Sequence, residues 1–292
     1  MATLDLRPLS LGELLDRTFT LYRGHFLLFA GISAIPHVFV LLIQLAQTMF
    51  SPAGGIFAVA TNPNVSGQMP GFSAAGIADT LAFGFAALVV SVLASLYSQG
   101  ATVIAVSDLY LGRTMTLGEA FRRVRGEIGT IFGVAVLGGL AVIGGLILLI
   151  IPGIYIALRL AVAVQAAVLE NIGPADAMSR SFSLTKDNAG RVFLIYLLYI
   201  FLLYGAVALL GMPFIVGTML TKSNPDLLRL FTMLTQVGSF IAEALVIPFA
   251  TIAMSLFYYD MRVRKEGFDL QMMMNPLTGA APAASAPPSL FR

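Results

Sequence analysis

The run IGTIFGVAVLGGLAVIGGLILLIIPGIYIAL, residues 128–158, marks the chain as membrane-spanning. From Ile128 to Ile151 it carries no charged residue. A helix rises about 1.5 Å per residue, so about 20 apolar residues cross the hydrocarbon core of a bilayer. Pro152-Gly153 then reads as a tight turn, with Ile154 to Glu170 returning as a short, askew span. GGLAVIGG inside the run does not read as a phosphate loop, because no strand precedes it. Gly129 with Gly133, and Gly138 with Gly145, suit close helix packing instead.

The same pattern recurs on both sides of this run. Spans fall at about 26–50, 77–106, 128–151, 154–170, 192–220 and 236–259. The fold class is therefore all-α: a polytopic membrane protein of six transmembrane helices arranged as three hairpins. Composition agrees, since 58% of the 292 residues are hydrophobic and 11% charged, against about 45–50% and about 25% in a soluble domain. So few polar side chains cannot cover a water-soluble globule. Residues 1–270 read as one membrane domain and 271–292, rich in Pro and Ala, as a disordered tail.

Basic residues set the orientation. Fourteen of the 17 Lys and Arg fall in the N-terminal segment, in the segments after spans two and four, and after span six. Lys222 and Arg229 fall on the other side, and Arg159 lies within a span. Both termini are expected in the cytoplasm, in the inner membrane. The charged first 25 residues do not fit a cleaved signal peptide. The absence of cysteine excludes disulfides and thiolate chemistry. A net charge of +2, with its basic residues beside membrane segments, gives no basic face for nucleic acid.

Three segments ahead of the hairpins look alike. SLGELLDR (10–17), TLGEAFRR (116–123) and GPADAMSR (173–180) share a small residue, an acid, and an Arg four after the acid: Glu13 and Arg17, Glu119 and Arg123, Asp176 and Arg180. An acid in the first turn faces the positive end of the helix dipole, and acid before Arg at i,i+4 is the favourable order. Ser10 and Thr116 sit where a capping box requires, and Pro174 suits a first helical position. Each hairpin is thus expected to follow a short amphipathic helix at the inner surface. These helices read as connectors and topology anchors, or as a collar for anionic lipid headgroups or a membrane protein partner.

LRPLSLGELLDR (6–17), IPGIY (151–155) with Leu169-Glu170 and Arg180-Ser181, and YYDMRVRKEG (258–267) resemble the glycerophosphoryl diester phosphodiesterase membrane-domain family. The likeness runs to about Leu270. In enzymes of that name such a domain precedes a soluble catalytic barrel. Only a short tail follows the last span here, so the resemblance implies a stand-alone membrane domain and transfers no catalytic residues.

Polar residues inside the bilayer are costly and mark candidate sites. Four stand out: His37, Gln99, Arg159 and Glu243. Helical rise places His37 roughly 18 Å, Arg159 16 Å and Glu243 22 Å from the inner ends of their spans. Spans one, four and six are expected to bring the three together, with Arg159 and Glu243 as a buried ion pair or a protonatable carrier site. Asp260, Arg262, Arg264, Lys265 and Glu266 read as anchoring charges with local pairs, or as a dock for the cytoplasmic helices. No metal, cofactor or catalytic set is read. A membrane scaffold or accessory protein comes first, and a transporter or lipid-handling protein second.

Overall fold

The computed structural model describes residues 8–50, 74–221 and 224–267. The loop read over 51–73, Lys222 and the tail read over 271–292 lie outside the described residues. The helices are α1 Leu11–Gly24, α2 Phe26–Phe50, α3 Ala74–Tyr110, α4 Leu117–Leu148, α5 Ile150–Arg159, α6 Ala163–Glu170, α7 Pro174–Thr185, α8 Ala189–Leu220 and α9 Pro225–Glu266. No strand occurs among the described residues. Six segments are long and apolar enough to cross a bilayer: α2, Thr80–Tyr110 of α3, α4, Ile150–Glu170, α8 and α9. The chain is a multi-pass membrane protein.

Neighbouring spans pack together: α2 on α3, α4 on α5, α8 on α9. The two ends of the bundle differ sharply. Over one half, large apolar side chains such as Phe50, Leu81, Ile147, Phe201 and Leu220 stand exposed, as only lipid-facing residues can. The buried core gathers at the other end. There Ala101, Ala105 and Val106 of α3, Val124 and Ile131 of α4, Ala166 of α6 and Ile252 to Met261 of α9 close around Leu9 and Leu14. Most of the basic residues sit at this end, called the basic end below.

Local chemistry explains the starts and breaks. Ser10 caps α1 with a full capping box: its hydroxyl accepts from the Glu13 N–H at 3.3 Å and the Glu13 carboxylate accepts from the Ser10 N–H at 2.7 Å. Pro174 opens α7. The segment 116–123 differs from expectation. It is the first two turns of α4, capped by Thr116 and continuous to Leu148, not a separate helix. Between Glu119 and Gly145 there is no proline, and the intervening glycines only weaken a helix by about 1 kcal/mol each.

The turn expected at Pro152-Gly153 is instead at Leu149, the single extended residue (φ −165°, ψ 151°) between α4 and α5. Pro152 falls in the first turn of α5, where a missing N–H costs nothing. Gly153 is needed for the reversal itself: a Cβ there would lie 2.5 Å from the Leu146 side chain and 2.7 Å from its backbone nitrogen. A Cβ on Gly145 would in turn lie 2.9 Å from the Gly153 Cα, so two facing glycines let the helices reverse over one residue.

The fourth span is broken between Arg159 and Ala163. Its freed backbone groups find hydroxyls on α7. Ser181 donates to the Arg159 carbonyl at 2.8 Å and accepts from the Val162 N–H at 3.3 Å, while Thr185 donates to the same carbonyl at 3.0 Å. Irregular backbone inside a membrane protein survives only with such partners. Pro248 acts similarly within α9. One turn before it, the Leu245 carbonyl accepts the Tyr22 hydroxyl at 2.8 Å, tying α1 to α9. Burial pushes the Tyr22 phenol up to about 12.

Candidate functional site

Three acids organise the basic end. Asp260, in the last turns of α9, has no exposed side-chain surface. Its carboxylate accepts from Arg191 Nη1 of α8 at 2.8 Å, from Arg264 Nε at 3.1 Å and from the Leu9 N–H at 2.7 Å. Arg191 and Arg264 also donate to the Leu9 carbonyl. The peptide of Leu9 is therefore held on both sides, which locks the segment before α1 against α8 and α9.

Asp108 closes α3 onto α4. It accepts from Arg123 and pairs with Arg113 at 3.6 Å. Arg113 also donates its backbone N–H to the Asp108 carbonyl at 2.8 Å, and Gly112 supplies the φ of +74° that this turn requires.

Glu170, the last residue of α6, accepts Arg180 Nε of α7 on both carboxylate oxygens at 2.9 Å and the Tyr258 hydroxyl of α9 at 2.7 Å. Arg180 reaches on to Glu266, which also takes Arg262 Nε at 3.2 Å. Burial alone would lower the Arg180 pKa, but the carboxylates of Glu170 and Glu266 outweigh it and raise the value above its ordinary one. Lys265 donates to the carbonyls of Ser183 and Lys186 at 2.8 and 2.9 Å, capping the C-terminal end of α7.

In two of the three motif segments the partners differ from the expected i,i+4 pairs. Arg123 binds Asp108, and Arg180 binds Glu170 and Glu266. Glu119 pairs with Arg122 at 3.8 Å and hydrogen-bonds at the Thr116 cap. Asp176 is exposed in the first turn of α7. Glu13 serves the Ser10 cap. An exposed i,i+4 pair contributes only about 0.3–0.5 kcal/mol, so a dehydrated carboxylate offering two or three bonds wins the arginine.

Asp108 and Glu170 were not singled out as site residues, yet the sequence held a signal for both. Each closes an apolar helix at its C-terminal end, where the dipole disfavours an acid. An acid placed against the dipole and beside a membrane span demands a cation, and its partner had to be one of the nearby arginines.

The intramembrane set is only partly assembled. Arg159 and Glu243 form no ion pair, correcting the expectation. Arg159 donates to the Tyr155 hydroxyl at 2.8 Å and to the Phe182 carbonyl of α7, between the rings of Tyr155 and Phe182 at 5.6 and 5.3 Å. The sequence expectation counts its depth along an unbroken helix to Glu170, whereas the break after it turns it onto α7. Glu243, half-buried on α9, lies within electrostatic range of His37 on α2 and Tyr199 on α8. His37 is buried, with Nδ1 2.8 Å from the Ser33 carbonyl. A carbonyl only accepts, so Nδ1 bears the proton. Gln99 is half-buried on α3.

A charge swap follows as a test. Reversing Arg159 to Glu and Glu243 to Arg together should restore nothing beyond the product of the two single losses, read as folded yield by fluorescence-detected gel filtration. Recovery in the double variant would place the pair back in contact.

With this geometry in view, no family model, no curated protein and no solved structure matches the chain.

Proposed function

We propose that the chain is a scaffold or accessory protein of the cytoplasmic membrane, with both termini and the basic end in the cytoplasm, working through the face that the buried acids hold rigid. One observation carries this reading. Asp108, Glu170 and Asp260 tie the segment before α1 and the ends of α3, α4, α6, α7, α8 and α9 into one surface. A docking surface gains affinity when its groups are ordered before the partner arrives. Arg122 and Asp176 stand exposed on that face. The resemblance to the phosphodiesterase membrane-domain family is compatible with this role and assigns no chemistry to it. A carrier is the second reading, favoured by Glu243 within electrostatic range of His37 and by Pro36, Pro213 and Pro248 inside three spans.

The absence of native cysteine makes the orientation directly measurable. In Arg122→Cys an impermeant maleimide should label inverted vesicles only, and in Leu227→Cys right-side-out vesicles only. The reverse pattern would overturn the orientation. A photo-crosslinker at Arg122 or Asp176 should yield one discrete protein adduct in intact cells, and none from lipid-facing Leu220. No adduct at either cytoplasmic position would sink the scaffold reading. Solute flux in proteoliposomes that Glu243→Gln abolishes would establish the carrier in its place.

A further inference from the structure

A groove of about 460 Å³ runs between α2, α3 and the start of α4. Pro36 and Phe39 line one wall, Val90, Leu93 and Tyr97 the other, and Phe121 and Arg125 of α4 complete the lining. Its lining is apolar apart from Tyr97 and Arg125. Phe39 and Leu93 are exposed, so the groove opens sideways, toward lipid rather than toward water. Val90 to Tyr97 covers roughly 10 Å of α3, and Arg125 lies roughly 12 Å along α4 from its start, at the end nearer the basic face.

Arg125 differs from its neighbours. Arg113, Arg122 and Arg123 each have a carboxylate, whereas Arg125 is exposed and has no ion pair among the described residues. Glu127, two positions on, points to another side of the helix. A guanidinium without a carboxylate among the described residues, lining an apolar slot in a membrane-spanning bundle, matches one amphiphile by charge. It can hold a phosphate oxygen pair in its fork while the slot takes a hydrocarbon chain.

We propose that this groove binds one anionic phospholipid of the leaflet facing the basic end, with an acyl chain between α2 and α3 and its phosphate on the Arg125 guanidinium. The site carries a net positive charge and no acid of its own to receive a choline or ethanolamine ammonium. A headgroup with net negative charge is therefore preferred over a zwitterionic one. The preference should be about fivefold in relative binding constant, the enrichment that one Arg near the surface supplies on anionic lipid. The site is separate from the buried-acid network and does not require a protein partner.

The chain contains no tryptophan, so Phe39→Trp places a single fluorophore on the groove wall. Reconstituted into vesicles, this variant should be quenched more strongly by brominated phosphatidylglycerol than by brominated phosphatidylcholine at equal mole fraction. Adding Arg125→Gln should remove the difference while the protein stays monodisperse. A lipid-facing Phe201→Trp control on α8 should show no preference, and inorganic phosphate should not compete at Phe39→Trp. Equal quenching by the two lipids, or a preference that survives Arg125→Gln, would overturn the site. Loss of the preference to inorganic phosphate would overturn the lipid as its occupant. If Phe39→Trp itself fails to fold, Val90→Trp on the opposite wall gives the same readout.

Discussion

Asp260→Ala should leave little folded protein. The substitution strips two arginines and the Leu9 N–H of a carboxylate that is fully buried. Breaking a buried ion pair from one side costs about 3–5 kcal/mol where the remaining charge is dry; Arg191 and Arg264, 20% and 36% exposed and keeping the Leu9 carbonyl, place the loss at the lower end of that range. That is a large share of the roughly 5–15 kcal/mol by which a folded chain is ordinarily stable. Asp260→Asn should lose less, since its amide oxygen can still accept from Leu9. Asp176→Ala, at an exposed position, should change stability by no more than about 0.5 kcal/mol. Thermal melting in detergent, followed by gel filtration, reads all three. Equal melting of Asp260→Ala and Asp176→Ala would show that the network is not what holds the basic end together.

Gly238→Leu should be the most damaging substitution at a small residue. A Cβ on Gly238 would lie 2.6 Å from the Leu210 carbonyl oxygen and 3.1 Å from its carbon. The obstacle is backbone, so no rotamer change on α8 can relieve it, and α8 and α9 must separate. Gly238→Ala should already cost about 1–3 kcal/mol, the usual penalty for overpacking, and the leucine variant more. Gly139 gives the contrast. Nothing lies within 4 Å of its added Cβ, so Gly139→Ala should be neutral or gain up to about 1 kcal/mol from helix propensity. The same melting experiment measures this, and a Gly139 variant that melts below the Gly238 one would refute the close approach of α8 and α9.

Much of this molecule was legible in its sequence, for reasons that act locally. The number of spans followed from runs of apolar side chains, because lipid leaves backbone groups no partner but their own helix. The caps at Ser10, Thr116 and Pro174 were readable because each depends on residues within one turn. The turn at Leu149 was not. Pro152-Gly153 is a strong turn signal in water, and only the approach of Gly145 to Gly153 shows that the reversal comes earlier. Arg159 was misplaced for a related reason: the break after it depends on Ser181 and Thr185, which arrive from α7.

Hydropathy and charge along a helix need no knowledge of neighbours, so six membrane crossings and one basic end are readable from the residues alone. Which carboxylate each arginine serves depends instead on contacts between helices far apart in the chain. Asp260 meets Arg191 across 69 residues and Leu9 across 251, and Glu170 meets Tyr258 across 88. Nearby acids competed for the same arginines along the chain. Burial, which strengthens a charge-assisted bond and makes its loss costly, awarded them to acids that the fold had already taken out of water.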